Sequence, residues 1–339
     1  MPKQEGRPAG TRAGALPAAG RRALLAAGLA MPFAAPGAAR AQGAWPEKPV
    51  RLLIGYPAGG PTDFAARLLQ PHLQALWGQP LVIENRAGAN GIIASEAVAR
   101  SAPDGHTLLL GNSPNTMNPA IQPRLPYDPA ELAPVVLIYI SPTVLFAAPD
   151  TPWRSVAEVV AAAKAQRGLS YAVSGVGSPG HFAGEAFRRA AGIDLTSVAY
   201  RGAPPALADV VAGRVPITFS TLAGAMPLLR EGRLRALAVA GDSRVAALPD
   251  LPTLKELGFD IPDCGVWYGL LVPAGTPEAV QRRIAGDITG LLNQPEIRER
   301  FLAQAAIPVG EGPEDFTARY RAEIARWTAI AQAAGIKAE

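Results

Sequence analysis

From Trp45 onward, short runs of branched and aliphatic residues alternate with longer Ala-rich stretches of helical period, an alternation that confines the chain to α/β layers. Residues 50–55, 81–84 and 107–111 read as strands, with helices over 61–76 and 91–101 between them, a complete βαβαβ unit. A second unit follows: helix 155–166, strand 169–174, helix 180–191, a strand near 197–200, helix 204–212 and strand 217–220. Strand-like runs at 234–240 and 269–272 and helices over 277–293 and 313–334 complete the chain. No segment repeats with a solenoid period. The expectation is two lobes, each a sheet of largely parallel strands flanked by helices, with the C-terminal tail returning to the first. Ligands in such sheets bind beyond the carboxyl ends of the strands.

The first forty residues differ in kind, being rich in Ala, Gly, Pro and Arg with one acidic residue, Glu5. A basic stretch ending in Arg21-Arg22, an Ala-rich apolar run and the small-residue site Ala39-Arg40-Ala41 identify residues 1–41 as a cleaved signal peptide. The paired arginines favour twin-arginine export over the general secretory route. Pro32 and Pro36 interrupt a run shorter than the ~20 apolar residues that span a bilayer. Removing the segment takes away six basic residues and one acidic one, so the formal charge falls from +4 to −1. The basic balance belongs to the precursor and gives no support for nucleic-acid binding. Cys264 is the only cysteine, which excludes an internal disulfide and a thiolate metal cluster; His72, His106 and His181 are too scattered for a zinc site. No cofactor and no metal are expected.

Two strand-to-helix turns carry the chemistry. In Tyr56-Pro57-Ala58-Gly59-Gly60-Pro61-Thr62-Asp63, adjacent glycines clear space for a ligand, and the helix that follows presents unpaired N–H groups with about +0.5 charge at its start. Pro61 fits the first helical turn, and Thr62 or Asp63 can cap it. The plain alternative is a tight turn before a capped helix. The second turn, from Ser174 through Gly175, Gly177, Ser178 and Gly180 to His181, matches the dinucleotide fingerprint G-x-G-x-x-G. Proline at 179, a mid-chain position and export argue against a dinucleotide. The same geometry suits a carboxylate, with Ser178 as a hydroxyl donor and backbone N–H groups facing the anion. A hydrolase using Ser178 and His181 is the competing reading, but the nucleophile elbow G-x-S-x-G fails because position 176 is Val. His181 could equally be structural. Beyond a second-lobe strand, Tyr200-Arg201-Gly202 offers a guanidinium for a carboxylate, or a solvated loop arginine.

Taken in order, these segments resemble the Bug family, the TctC-like extracytoplasmic solute receptors of tripartite tricarboxylate transporters. The likeness covers nearly the whole mature chain. It includes Trp45-Pro46-Glu47-Lys48-Pro49-Val50-Arg51, the turn 56–63, Glu84-Asn85-Arg86-Ala87-Gly88-Ala89-Asn90-Gly91 and Pro103-Asp104-Gly105-His106-Thr107. Further on come Tyr127-Asp128-Pro129, the turn 175–181, Tyr200-Arg201-Gly202, Leu248-Pro249-Asp250-Leu251-Pro252-Thr253, Trp267 and Pro273-Ala274-Gly275-Thr276-Pro277. The resemblance implies a two-lobed Venus-flytrap fold of the periplasmic binding protein type, type II-like. Lobe 1 is expected over 42–145 plus 266–339 and lobe 2 over 146–265. It implies a carboxylated ligand held by the turns matching Pro57, Ala58, Gly59 and Gly60, and Ser174 to His181. The family often ends the strand matching 217–220 in Asp, whereas here it ends in Ser220-Thr221, a neutral hydroxyl expected to change selectivity.

The function expected is therefore a monomeric, non-enzymatic periplasmic receptor for a di- or tricarboxylate or related acid, docking on transporter membrane subunits. The alternatives are a binding protein that presents its ligand to a sensor domain, and a periplasmic serine hydrolase.

Overall fold

The computed structural model describes residues 45–166 and 168–334. The segment 1–41 lies outside the described residues. In chain order the elements are β1 (Val50–Ile54), α1 (Pro61–Trp77), β2 (Leu81–Asn85), α2 (Ile92–Ala99), β3 (Thr107–Asn112), α3 (Pro114–Ile121), β4 (Leu132–Ser141) and β5 (Thr143–Ala147). They continue with α4 (Val156–Ala165), β6 (Leu169–Val173), α5 (Pro179–Ala190), β7 (Leu195–Ala199), α6 (Ala203–Val211), β8 (Ile217–Thr221), α7 (Leu222–Arg230) and β9 (Arg235–Val239). The last are β10 (Val266–Pro273), α8 (Glu278–Leu292), α9 (Pro295–Ala303), β11 (Ile307–Glu311) and α10 (Pro313–Ala334).

The strands form two sheets. One has the order β11-β4-β10-β3-β1-β2, the other β7-β6-β8-β5-β9. Within the first, β2, β1 and β3 run parallel, while β10, β4 and β11 pair antiparallel. Within the second, β7, β6 and β8 are parallel and β5 runs against both β8 and β9. The expectation of largely parallel strands is thus corrected to mixed sheets. The reason lies at Pro142, the one residue between β4 and β5: a nearly continuous strand passes from one sheet into the other and enters each against its neighbours.

β4 escapes period-based reading because it is covered on both faces, so nearly every residue is buried and no alternation shows. Helix α3, with the sequence PNTMNPAI, has poor intrinsic propensity; it forms because Met117 and Ile121 pack into the core under the second sheet. Glu84 is held by both Arg51 (2.6 Å) and Arg86 (2.8 Å) near the end of β2.

Helix α10 contributes to both cores. Its first half packs Phe316 and Tyr320 against Trp267 of the first sheet, with the Trp267 and Phe316 rings 5.1 Å apart. Its second half buries Trp327 and Ala331 against the second sheet, where the Trp327 and Phe182 rings are 5.0 Å apart. Arg326 adds a hydrogen bond to the Asp263 carbonyl in the segment returning from β9 to β10. Trp327 is fully buried, so Trp327→Ala is expected to lower unfolding free energy by about 3–5 kcal/mol in urea titrations. A loss under about 1 kcal/mol would mean that the helix does not tie the second core.

Candidate ligand site between the two sheets

Five helices begin at one cavity. Strands β1, β3, β6, β7 and β8 each end there and pass into α1, α3, α5, α6 and α7, as the carboxyl-end rule for α/β sheets requires. Four of these helices carry proline in the first turn: Pro61, Pro114, Pro179, and Pro204 of α6. Proline lacks the N–H that would be orphaned at that position and presets the helical φ. The positive ends of the five helix dipoles converge on the cavity, although the His181 N–H of α5 is capped by Ser178 and the Leu222 and Ala223 N–H groups of α7 bond to the Pro142 carbonyl and Ser141 Oγ.

The first lobe contributes Tyr56, Gly60, Thr62, Asn112 and Tyr268; the second contributes Ser174, Gly180, Ser220, Thr221 and Phe219. The crossover residue Thr143 also lines it and donates its hydroxyl hydrogen to the Cys264 carbonyl at 2.7 Å. No Asp, Glu, Lys, Arg or His is among the lining residues. Burial pushes the Tyr56 and Tyr268 phenols well above their ordinary range, so both stay neutral. The Tyr56 hydroxyl lies 3.1 Å from Asn112 Oδ1 and 3.2 Å from the Asn90 carbonyl. Tyr268 stacks on Tyr139 at 4.3 Å, and the Tyr139 hydroxyl donates to the Pro61 carbonyl at 2.7 Å, which ties the start of α1 to the sheet. Thr221 Oγ1 is buried with no geometric hydrogen-bond partner.

A second pocket shares the lining residues Tyr56 and Ser174 with the first. It is lined by Asn90 and Gln122 from one side and by Gly175, Tyr200, Arg201 and Gly202 from the other. The Tyr200 hydroxyl donates to Asp209 at 2.7 Å; burial and that carboxylate push its pKa up to about 12.

The two lobes touch around these spaces. A Cβ built on Gly202 would lie 2.7 Å from Pro57 Cδ, and Gly202 has φ +121°, a backbone region that L residues rarely occupy. On Gly60, Gly224 and Gly175, a Cβ would meet Pro204 at 3.6 Å, Pro61 at 3.5 Å and Asn90 at 3.3 Å, each across the lobes apart from nearer contacts within a lobe.

Of the residues singled out in the sequence, Tyr56, Gly60, Ser174 and Ser220 line the inner cavity, and Tyr200, Arg201 and Gly202 line the outer. Gly59 faces a separate groove between α1, α6 and α7. Pro57, Ala58, Asp63, Gly177, Ser178 and His181 line neither compartment. Asp63 holds the first turn instead: its carboxylate accepts from Gly59 N–H (2.9 Å), Arg67 (2.7 Å) and Asn85 (3.2 Å). Burial alone would raise its pKa, but these three donors outweigh burial and hold it below the ordinary carboxylate value. Ser178, fully buried, caps α5 by accepting from the His181 N–H (3.3 Å), and His181 Nδ1 accepts from Gly177 N–H (3.1 Å). Both side chains are spent on the turn. Asn112, Thr143 and Tyr268 sit near strand ends without glycine-rich punctuation, so no local pattern marks them. A proline just inside a helix start, as in Ser113-Pro114, was the signal available for α3.

Among the described residues no cluster of His, Cys, Asp or Glu could hold a metal, and no helix is long and apolar enough to cross a membrane. Two α/β lobes meeting over a cavity at their strand ends define a bilobed solute-binding receptor. The chain belongs to the TctC family, the tripartite tricarboxylate transporter family receptor, whose model matches residues 65–336. BugT of Bordetella pertussis is 33% identical over 318 residues, covering 93% of this chain and 95% of BugT. An R. palustris protein solved with adipate is 34% identical, covers 86% of this chain and 99% of its own, and superposes with a TM-score of 0.83. MatC of Rhodopseudomonas palustris with bound malate is 32% identical, covers 84% and 99%, and gives 0.78.

Two measurements probe the turns. Burial holds the His181 pKa below its ordinary value. The unfolded chain therefore takes up a proton near pH ~6.5 before the folded one does, so stability is complete above that pH and falls as pH drops through it. Melting temperatures from about pH 7.5 to about pH 5.5 should fall further for the wild type than for His181→Gln, whose amide oxygen does not titrate; parallel profiles would remove this role. Gly202→Ala, by colliding with Pro57, is expected to increase the radius of gyration in small-angle scattering; an unchanged radius would show that this contact does not limit lobe approach.

Proposed function

We propose that this protein is a periplasmic receptor that captures a small carboxylate between its lobes and delivers it to the membrane subunits of a tripartite transporter, without chemical conversion. The observation that carries the reading is the meeting of five helix N-termini on a cavity with no ionisable lining residue other than tyrosine. Such a space attracts an anion through N–H groups and dipoles and offers no carboxylate to pair with an ammonium group. The adipate and malate held by similar proteins agree with a carboxylate. Lobe closure about the crossovers at Pro142 and 240–265 would bury the ligand, with the turn at Gly202 meeting the turn at Pro57. The signal-like residues 1–41 support export, and the mature chain would act as a monomer. A hydrolase is disfavoured because Ser178 and His181 are engaged in capping their own turn.

The test is a thermal-shift screen of the mature protein against organic acids, amino acids, sugars and cations, with ester turnover assayed in parallel. Carboxylates are expected to raise the melting temperature in a concentration-dependent way, by mass action, with no turnover. Shifts confined to sugars or cations, or an esterase activity lost in Ser178→Ala, would overturn the reading.

A further inference from the structure

Helix α7 starts at the ligand cavity and runs along the seam between the lobes. Near its start, Ala223 is buried in the core of the first lobe and its N–H donates to Ser141 Oγ at 3.0 Å. A Cβ on Gly224 would meet Pro61 of α1 at 3.5 Å. At the far end of α7, the Arg230 guanidinium donates to the Ala303 carbonyl in the last turn of α9. A cation there meets the negative end of the α9 dipole.

The turn that Arg230 meets has an uncommon backbone. It closes α9 with the Ala305 N–H on the Leu302 carbonyl (2.9 Å) and the Ala306 N–H on the Phe301 carbonyl (3.1 Å), and Ala305 sits at φ +51°. Glycine ordinarily fills this left-handed position after a helix, because a Cβ is disfavoured there. Two adjacent residues of the turn are buried in different cores. Ala306 joins Phe301 in the first lobe, whereas Ala305 joins the cluster of the second lobe to which Leu222, Ala225 and Met226 of α7 belong. A glycine would ease the turn and leave that cluster one methyl short. The methyl is kept against the backbone preference, and what it touches is the other lobe.

We propose that the turn 303–306 is a closure contact. Ala305 plugs into the α7 side of the second lobe, Arg230 caps α9, and together they hold the lobes in the approached arrangement. Ala223 makes the reciprocal contact from α7 into the first lobe. Arg230 lies roughly 13 Å along α7 from the cavity, so the resting separation of the lobes is set by residues that touch no ligand. This rests on the reading of the protein as a receptor whose lobes close, and it adds residues that bias the closure.

Pulsed dipolar spectroscopy of the ligand-free mature protein tests this, with spin labels on Ala75→Cys in α1 and Lys164→Cys in α4, both exposed positions. Cys264 is fully buried and stays unlabelled. Ala305→Gly is expected to raise the ratio of long to short label distances about fourfold, the factor that burial of one methyl group is worth. Arg230→Gln, at an exposed position, should raise the ratio about twofold or more, with Arg230→Lys between it and the wild type. A methyl that serves folding alone would change the melting temperature of Ala305→Gly and leave the distances as they are. That result, or wild-type distances in both Ala305→Gly and Arg230→Gln, overturns the closure contact. The labels report lobe separation without any ligand, so this failure leaves the carboxylate reading standing, and a failed thermal-shift screen leaves the contact standing.

Discussion

The close approach of glycine backbone to proline rings across the lobes is the constraint on which the site depends. Gly202 meets Pro57 at a distance that leaves no room for a Cβ, while Gly60 and Gly224 lie within ordinary contact range of Pro204 and Pro61. Glycine removes the Cβ, and proline offers a compact ring with no N–H to orphan. The space that remains is therefore walled largely by backbone and small hydroxyls. A charged side chain would have to enter from further away and would be buried without solvent, at a penalty of several kcal/mol. Helix N-termini supply positive potential without that penalty, because their N–H groups are already fixed by the helices.

The same economy explains what the ionisable groups nearby do. Asp63 stays charged because three donors meet it outside the cavity, and its task is to hold Gly59 and Arg67 in place. Tyr56 and Tyr268 stay neutral because burial raises their pKa values. His181 is kept neutral by burial as well, so Nδ1 can accept from Gly177. The charge pattern of the site is thus set by backbone geometry, with side chains tuning the positions of the turns.

A receptor of this kind must let its lobes move without letting either core open. The paths from one sheet to the other are the short link at Pro142, the return through 240–265, and the helix pair α3 and α10. Helix α10 buries an aromatic anchor in each core, Trp327 in one and Phe316 in the other. Such packing resists separation of the lobes yet leaves rotation about the crossovers as the softer motion.

Strand and helix alternation, the glycine-rich turns and the ordered series of family-like segments were legible in the sequence, because each depends on local period or on residues that only a turn accommodates. Of the chosen site residues, Tyr56, Gly60, Ser174, Tyr200, Arg201, Gly202 and Ser220 reach one of the two compartments. Ser178, His181 and Asp63 looked like ligand contacts because a polar group at a helix start serves a ligand or a cap equally well, and one-dimensional spacing does not separate the two. Strands β4 and β5 and the residues Asn112, Thr143 and Tyr268 carry no readable local signal, since their conformation and exposure come from packing against distant segments, and helix α3 offers only the proline at its start. The sequence by itself determined that helix starts would face a common edge. Only the tertiary structure decided that five of them meet at one cavity and that Arg201 stands outside it, because those facts depend on how two separately ordered sheets are set against each other.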